Sequence, residues 1–97
     1  MKEAQNLYKK HVFVCTNERE EGKDCCIRVG GLDTFNELKQ FVRDKNLADS
    51  IRVTKALCLG QCNNVGCTIV VYPEGKWFQQ TTKEDIEKIK EDITKLD

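Results

Sequence analysis

His11-Val-Phe-Val-Cys15 is a short run of β-branched and aromatic residues without polar alternation. Such a run predicts a strand buried on both faces, at the centre of a sheet covered by helices. The residues after it limit the folds open to the chain. Residues 16–31, TNEREEGKDCCIRVGG, are polar and punctuated by glycine, so they read as a loop. Thr34-x-x-Glu37 is a capping-box pattern, and Phe35, Leu38, Phe41, Val42 and Leu47 recur at helical spacing after it. An amphipathic helix is expected over 34–47. Ile51, Val53 and Leu57 then alternate with Arg52, Thr54 and Ala56, which fits a second strand over 51–57. A strand, a helix and a parallel strand form a right-handed crossover, so the two strands end on the same side of the sheet.

The rest of the chain completes the plan. CLGQCNNVGC, residues 58–67, is uncharged and rich in Gly and Asn, and reads as a loop. TIVVY at 68–72 is a third strand, Pro73-Glu-Gly75 is turn chemistry, and residues 76–80 pair back as a fourth strand. Thr81-x-x-Glu84 is a second capping-box pattern. Ile86, Ile89, Ile93 and Leu96 share one face of a helix expected over 83–96, with its charged face toward solvent. The order β-α-β-β-β-α describes an α/β (α+β) domain: a mixed sheet with helices packed on it and a hairpin at one edge. We expect a polar N-terminal segment, residues 1–10, and a single domain over 11–97. The 97 residues suffice for one modest core.

Sixteen basic and sixteen acidic residues cancel, so no global field points to nucleic acid or an anionic membrane. No run of apolar residues is long enough to span a bilayer. MKEAQNLYKK lacks the apolar core and cleavage site of a secretory signal, so a cytoplasmic protein is expected. Six cysteines are many for that compartment, where thiols stay reduced and cysteine clusters bind metal or do redox chemistry.

CLGQC, read alone, fits half of a disulfide, a zinc site, a dithiol active site or an iron–sulfur site. Its position narrows the choice. Cys15 ends the first strand and Cys58 ends the second, so the crossover brings them to one end of the sheet, where open α/β sheets place their sites. Cys25 and Cys26 follow the first strand, and Cys62 follows Cys58. Two distant pairs meeting at one end suit a four-thiolate metal centre. Structural zinc favours tight Cys-x₂₋₄-Cys knuckles on both halves. Here one half is Cys-x₃-Cys, but nine or ten residues separate Cys15 from Cys25 or Cys26. A loop of that length can wrap a [2Fe–2S] cluster. Gly30, Gly31, Gly60 and Gly66 can bring backbone close to its sulfides, and the uncharged 58–67 loop suits an anionic cluster. A thiol–disulfide enzyme wants Cys-x-x-Cys, a spacing neither CLGQC nor DCC has. One histidine, His11, excludes a centre with two histidine ligands.

HVFVCTNER, the CC-x₃-GG that closes the first loop, IRVTKALCLGQC and VVYPEGKWF together resemble the thioredoxin-like [2Fe–2S] ferredoxins. That group includes the Shethna-type and clostridial-type proteins and is similar to the cluster domain of the 24-kDa subunit of respiratory complex I. The resemblance spans roughly residues 11–93. It implies a thioredoxin-like fold, one-electron transfer between redox partner proteins with no enzymatic step, and a homodimer. It also implies a ligand set. Cys15 matches the first ligand. Cys26-Ile-Arg-Val-Gly30 matches the second, which precedes a glycine by four positions, whereas Cys25 comes one residue early. Cys58 and Cys62 match the third and fourth. The chain departs from the family after its last ligand: Cys62-Asn-Asn-Val-Gly66-Cys67 is one residue longer than Cys-x₂-Gly-Pro, and Cys67 stands in place of proline. Cys25 and Cys67 are read as spare thiols, and Arg19 and Arg28 as solvated or paired with Glu18, Glu20 or Asp24. Trp77 and Phe78 on the edge hairpin are candidates for a dimer interface, and one of them should be core in any case. Three other functions share parts of the pattern: a module that stores, senses or passes on a cluster, a zinc-binding structural domain, and a thiol–disulfide oxidoreductase.

Overall fold

Val12 and Val14 are fully buried, while His11 and Phe13, which alternate with them, are only half-buried. This alternation marks strand β1 (Lys10–Cys15) as the centre of a sheet covered by helices on one face. The structure, a computed structural model, describes residues 1–5, 7–16, 30–57, 59–60 and 66–95. After β1 come helix α1 (Gly31–Asp44), strands β2 (Ile51–Ala56), β3 (Cys67–Tyr72) and β4 (Lys76–Thr81), a 3₁₀ turn (Lys83–Asp85) and helix α2 (Ile86–Ile93). The sheet order is β2-β1-β3-β4. β1 runs parallel to β2, with Val12 opposite Val53 and Cys15 opposite Ala56. It runs antiparallel to β3, with Val12 opposite Val71 and Val14 opposite Ile69. The β3–β4 hairpin, which turns through a cis Tyr72–Pro73 bond, supplies the far edge.

One cluster holds the domain together. Val12, Val14, Ile51, Val53, Ile69 and Val71 form the covered face of the sheet, and Phe35, Leu38 and Val42 of α1 pack on it with Ile86, Ile89 and Ile93 of α2. Phe78 joins this core in part, whereas Trp77 beside it is 45% exposed. Lys90 of α2 ties the helices together at their rim. Its ammonium reaches Glu37 of α1 at 3.1 Å and Glu87 at 3.0 Å, and lies over the Phe41 ring. The two carboxylates, which favour the charged ammonium, raise the Lys90 pKa. No helix among the described residues is long and apolar enough to cross a membrane.

The expected element order stands, and the boundaries move for local reasons. α1 begins at Gly31 because Gly30, in the left-handed region at φ 91°, caps it; the Thr34 N–H donates to the Gly30 carbonyl at 2.9 Å. Thr34 is therefore a buried residue one turn into the helix, and the Thr34–Glu37 box is not its cap. The second box also shifts by one residue. The Thr82 N–H donates to the Asp85 carboxylate at 3.0 Å, and the Asp85 N–H donates to the Thr82 carbonyl at 3.0 Å. β3 starts one residue early, because Cys67 pairs with Thr81. The C-terminal helix closes at Ile93, and Leu96 lies outside the described residues.

Candidate metal centre

The ends of β1 and β2 are knotted together. The Thr16 N–H and hydroxyl both donate to the Ala56 carbonyl, at 2.8 and 3.1 Å. The Cys15 thiol, 1% exposed, donates to the Leu57 carbonyl at 2.9 Å. Parallel register alone accounts for this: Cys15 faces Ala56 across the last rung, so its sulfur reaches the segment that leads into Cys58. Leu57 itself turns outward, at 77% exposure.

A second thiol joins Cys15 at this end of the sheet. β3 runs antiparallel to β1, so its first residue, Cys67, lies at the level where β1 finishes. Cys67 has no exposed surface. Burial pushes its thiol pKa up; a hydrogen bond with the Thr34 side chain pulls the other way, and the nearby Cys15 opposes a second charge. Thr34 is the residue that sequence reasoning missed. Its hydroxyl satisfies a buried thiol from the first turns of α1, a role visible only once β3 is seen to begin at Cys67. Three strand ends and a helix start thus converge, and Cys15 and Cys67 are the thiols among the described residues here.

Gly66 and a bulge set the position of Cys67. A Cβ on Gly66 would collide with the backbone carbonyl of Thr81 on β4, so only glycine lets the chain enter β3 along this path. Cys67 faces Thr81 while Ile69 faces Phe78, which leaves one extra residue on β4. Gln80, at φ 56°, absorbs it. Gly66 thus lies against the neighbouring strand β4.

His11 belongs to the uncovered face. It stacks on Phe13 at 4.1 Å between centroids, and its Nε2 lies 2.8 Å from the Thr54 hydroxyl. Burial first, and then the Arg52 charge, lower its pKa. Cys25, Cys26, Cys58 and Cys62 lie outside the described residues, as do Arg19 and Arg28. Among the described residues no three His, Cys, Asp or Glu side chains are grouped to hold a metal ion.

Strand order, a parallel crossover and a terminal ββα unit define a thioredoxin-like domain. No family model matches the chain. Individual proteins do. It is 33% identical over 85 residues to a 2Fe-2S ferredoxin of Clostridium pasteurianum, covering 86% of this chain and 82% of that one. It is also 33% identical over 85 residues to a 2Fe-2S ferredoxin of Aquifex aeolicus, covering 84% and 76%. Two solved structures of the thioredoxin-like [2Fe-2S] ferredoxin from Aquifex aeolicus superpose on the fold. One has a TM-score of 0.74 at 33% identity over 84% of this chain and 82% of that one. The other has a TM-score of 0.78 at 31% identity over 89% and 80%. The chain belongs to the thioredoxin-like [2Fe–2S] ferredoxins.

Proposed function

We propose that this ferredoxin carries one electron at a time on a [2Fe–2S] cluster held by Cys15, Cys26, Cys58 and Cys62. Cys15 and Cys26 hold one iron, Cys58 and Cys62 the other. The observation that carries the ligand set is the Cys15 sulfur, buried at the end of β1 and 2.9 Å from the carbonyl of Leu57, the residue before Cys58. The donors suit the group: soft thiolates are what iron–sulfur clusters take, and the 58–67 loop brings no competing charge. When bound, the cluster supplies a one-electron couple between its all-ferric and mixed-valence states. The chain's own residues do the rest. β1 and β2 fix Cys15 against the entry to Cys58, burial keeps water from that sulfur, and the Thr34 side chain hydrogen-bonds Cys67 at the same end of the sheet. Cys67 is outside the ligand set, consistent with burial favouring its neutral form.

An all-thiolate set predicts a low potential, roughly −400 to −200 mV, well below that of centres with histidine ligands. Protein purified anaerobically is expected to carry about two iron and two sulfide per chain. Stoichiometric zinc without sulfide overturns the reading. The visible and electron paramagnetic resonance spectra of cysteine variants test the ligands. Cys26→Ser should alter both, while Cys25→Ser and Cys67→Ser should keep the wild-type spectra; the reverse result at 25 and 26 moves the second ligand to Cys25. The protein acts as a carrier in the cytoplasm, without chemistry of its own on a substrate, and exchanges electrons with redox partner proteins. By the family resemblance it works as a homodimer, with one domain over residues 11–97 in each copy, which sedimentation at micromolar concentration checks.

A further inference from the structure

Three cations, Lys39, Arg43 and Lys55, lie on the α1 side of the β2 edge, and Arg52, on the open face beside His11, lines the cleft at the same edge. Lys39 from the helix and Lys55 from the strand reach the Phe35 ring, their ammonium groups 5.4 and 5.6 Å from its centroid. Arg43, one turn beyond Lys39, shares with Arg52 a cleft of about 190 Å³ between the two elements. None of the four makes an ion pair with a carboxylate among the described residues, whereas Lys10, Lys76 and Lys90 each do. Asp44 and Asp49 on neighbouring segments form no ion pair with them among the described residues, and Asp44 accepts from Gln40 at 2.8 Å. Net charge over the chain is zero, so this excess is a segregation of charge and not a general basicity. β2 is an outer strand, and charge on such a strand discourages edge-to-edge pairing. That accounts for Arg52 and Lys55. It does not account for two more cations of the same sign beside them on α1, where mutual repulsion costs stability.

The face also has a direction. Leu32, 39% exposed, starts the α1 stripe that continues through Lys39 and Arg43. Leu57, 77% exposed, follows β2 and directly precedes Cys58. Exposed apolar side chains therefore lie at the end of the face nearest the site, with the cations behind them. We infer that this face docks the carboxylate-rich surface of a redox partner protein. Lys39, Arg43, Arg52 and Lys55 attract and orient it, and Leu32 and Leu57 seal water from the end where the electron crosses. The inference rests on the electron-carrier role proposed for the cluster.

The probe is a reduced acidic flavodoxin mixed with the oxidised ferredoxin in a stopped-flow instrument. Each event moves one electron from the flavin to the cluster and needs no other reactant. In low salt, K39Q/R43Q/R52Q/K55Q is expected to lower the second-order rate constant about tenfold. Neutralising four exposed lysines elsewhere, in K9Q/K83Q/K88Q/K95Q, should change it less than twofold, and the difference should close in high salt. K39Q and R52Q alone, each expected to slow the reaction two- to threefold, guard against a folding defect in the fourfold variant. Equal slowing in both fourfold variants, or no slowing in the first, overturns the inference. So does a face that binds a DNA duplex or anionic vesicles at physiological salt while the flavodoxin rate stays unmoved. Absence of cluster absorption in the wild-type chain overturns both readings; normal absorption with equal rates overturns the docking face alone.

Discussion

Gly66 and His11 are two residues whose identity the fold explains for opposite reasons. Gly66 is fixed by what it lacks. With the Thr81 carbonyl where a Cβ would sit, Gly66→Ala forces the start of β3 away from β4. Urea unfolding should read a loss of about 1–3 kcal/mol, typical of overpacking a tight contact. His11 is fixed by what it touches, the Phe13 ring and the Thr54 hydroxyl, and this setting favours its neutral form. A folded-state pKa below the ordinary 6.5 means that the unfolded chain binds the proton more readily. The resulting stability is fully present above pH 6.5 and is lost as pH falls through that value toward the lower folded one. Thermal midpoints at about pH 7.5 and 5.5 should therefore converge in His11→Gln relative to wild type; an unchanged gap would mean that His11 does not contribute. Cys15 was legible from sequence as the last residue of an apolar run. The depth of Cys67 was not, because Gly and Asn before it read as loop, and only the pairing with Thr81 carries β3 back to it.

The elements themselves were legible because each has a period that burial later uses. The isoleucines of α2 recur every three or four residues, and Ile86, Ile89 and Ile93 all sit in the core. Ile89, 1% exposed and central among them, should cost about 2–5 kcal/mol as alanine in the same unfolding assay. Losing the Lys90–Glu37 pair at the rim should cost no more than about 1 kcal/mol, since both groups retain solvent. What the periods did not reveal was where each helix begins. Thr-x-x-Glu occurs both at caps and inside helices, and the left-handed turn at Gly30 decided the matter a full turn earlier than Thr34. Nor did the run at β1 reveal that helices cover only one face. A central strand of a half-covered sheet can carry an aromatic on its open side, as Phe13 does beside Tyr72.

At the scale of the whole molecule, strand order separates two surfaces that sequence cannot separate. β2 and β4 are the outer strands of the sheet, with β1 and β3 between them. The β2 side is cationic, and the β4 side carries the half-exposed Trp77. The chain has a single tryptophan, so that strand holds its own optical reporter. Dilution that separates a dimer paired through β4 should shift the emission to longer wavelength, and neutralising the β2-side cations should leave the emission maximum where it was. A shift caused by the β2-side variant would mean that the two edges are coupled. With a second copy along β4 and a redox partner along β2, self-association and electron delivery would not compete. A pair joined along β4 would hold its two docking faces outward, each open to a partner of its own.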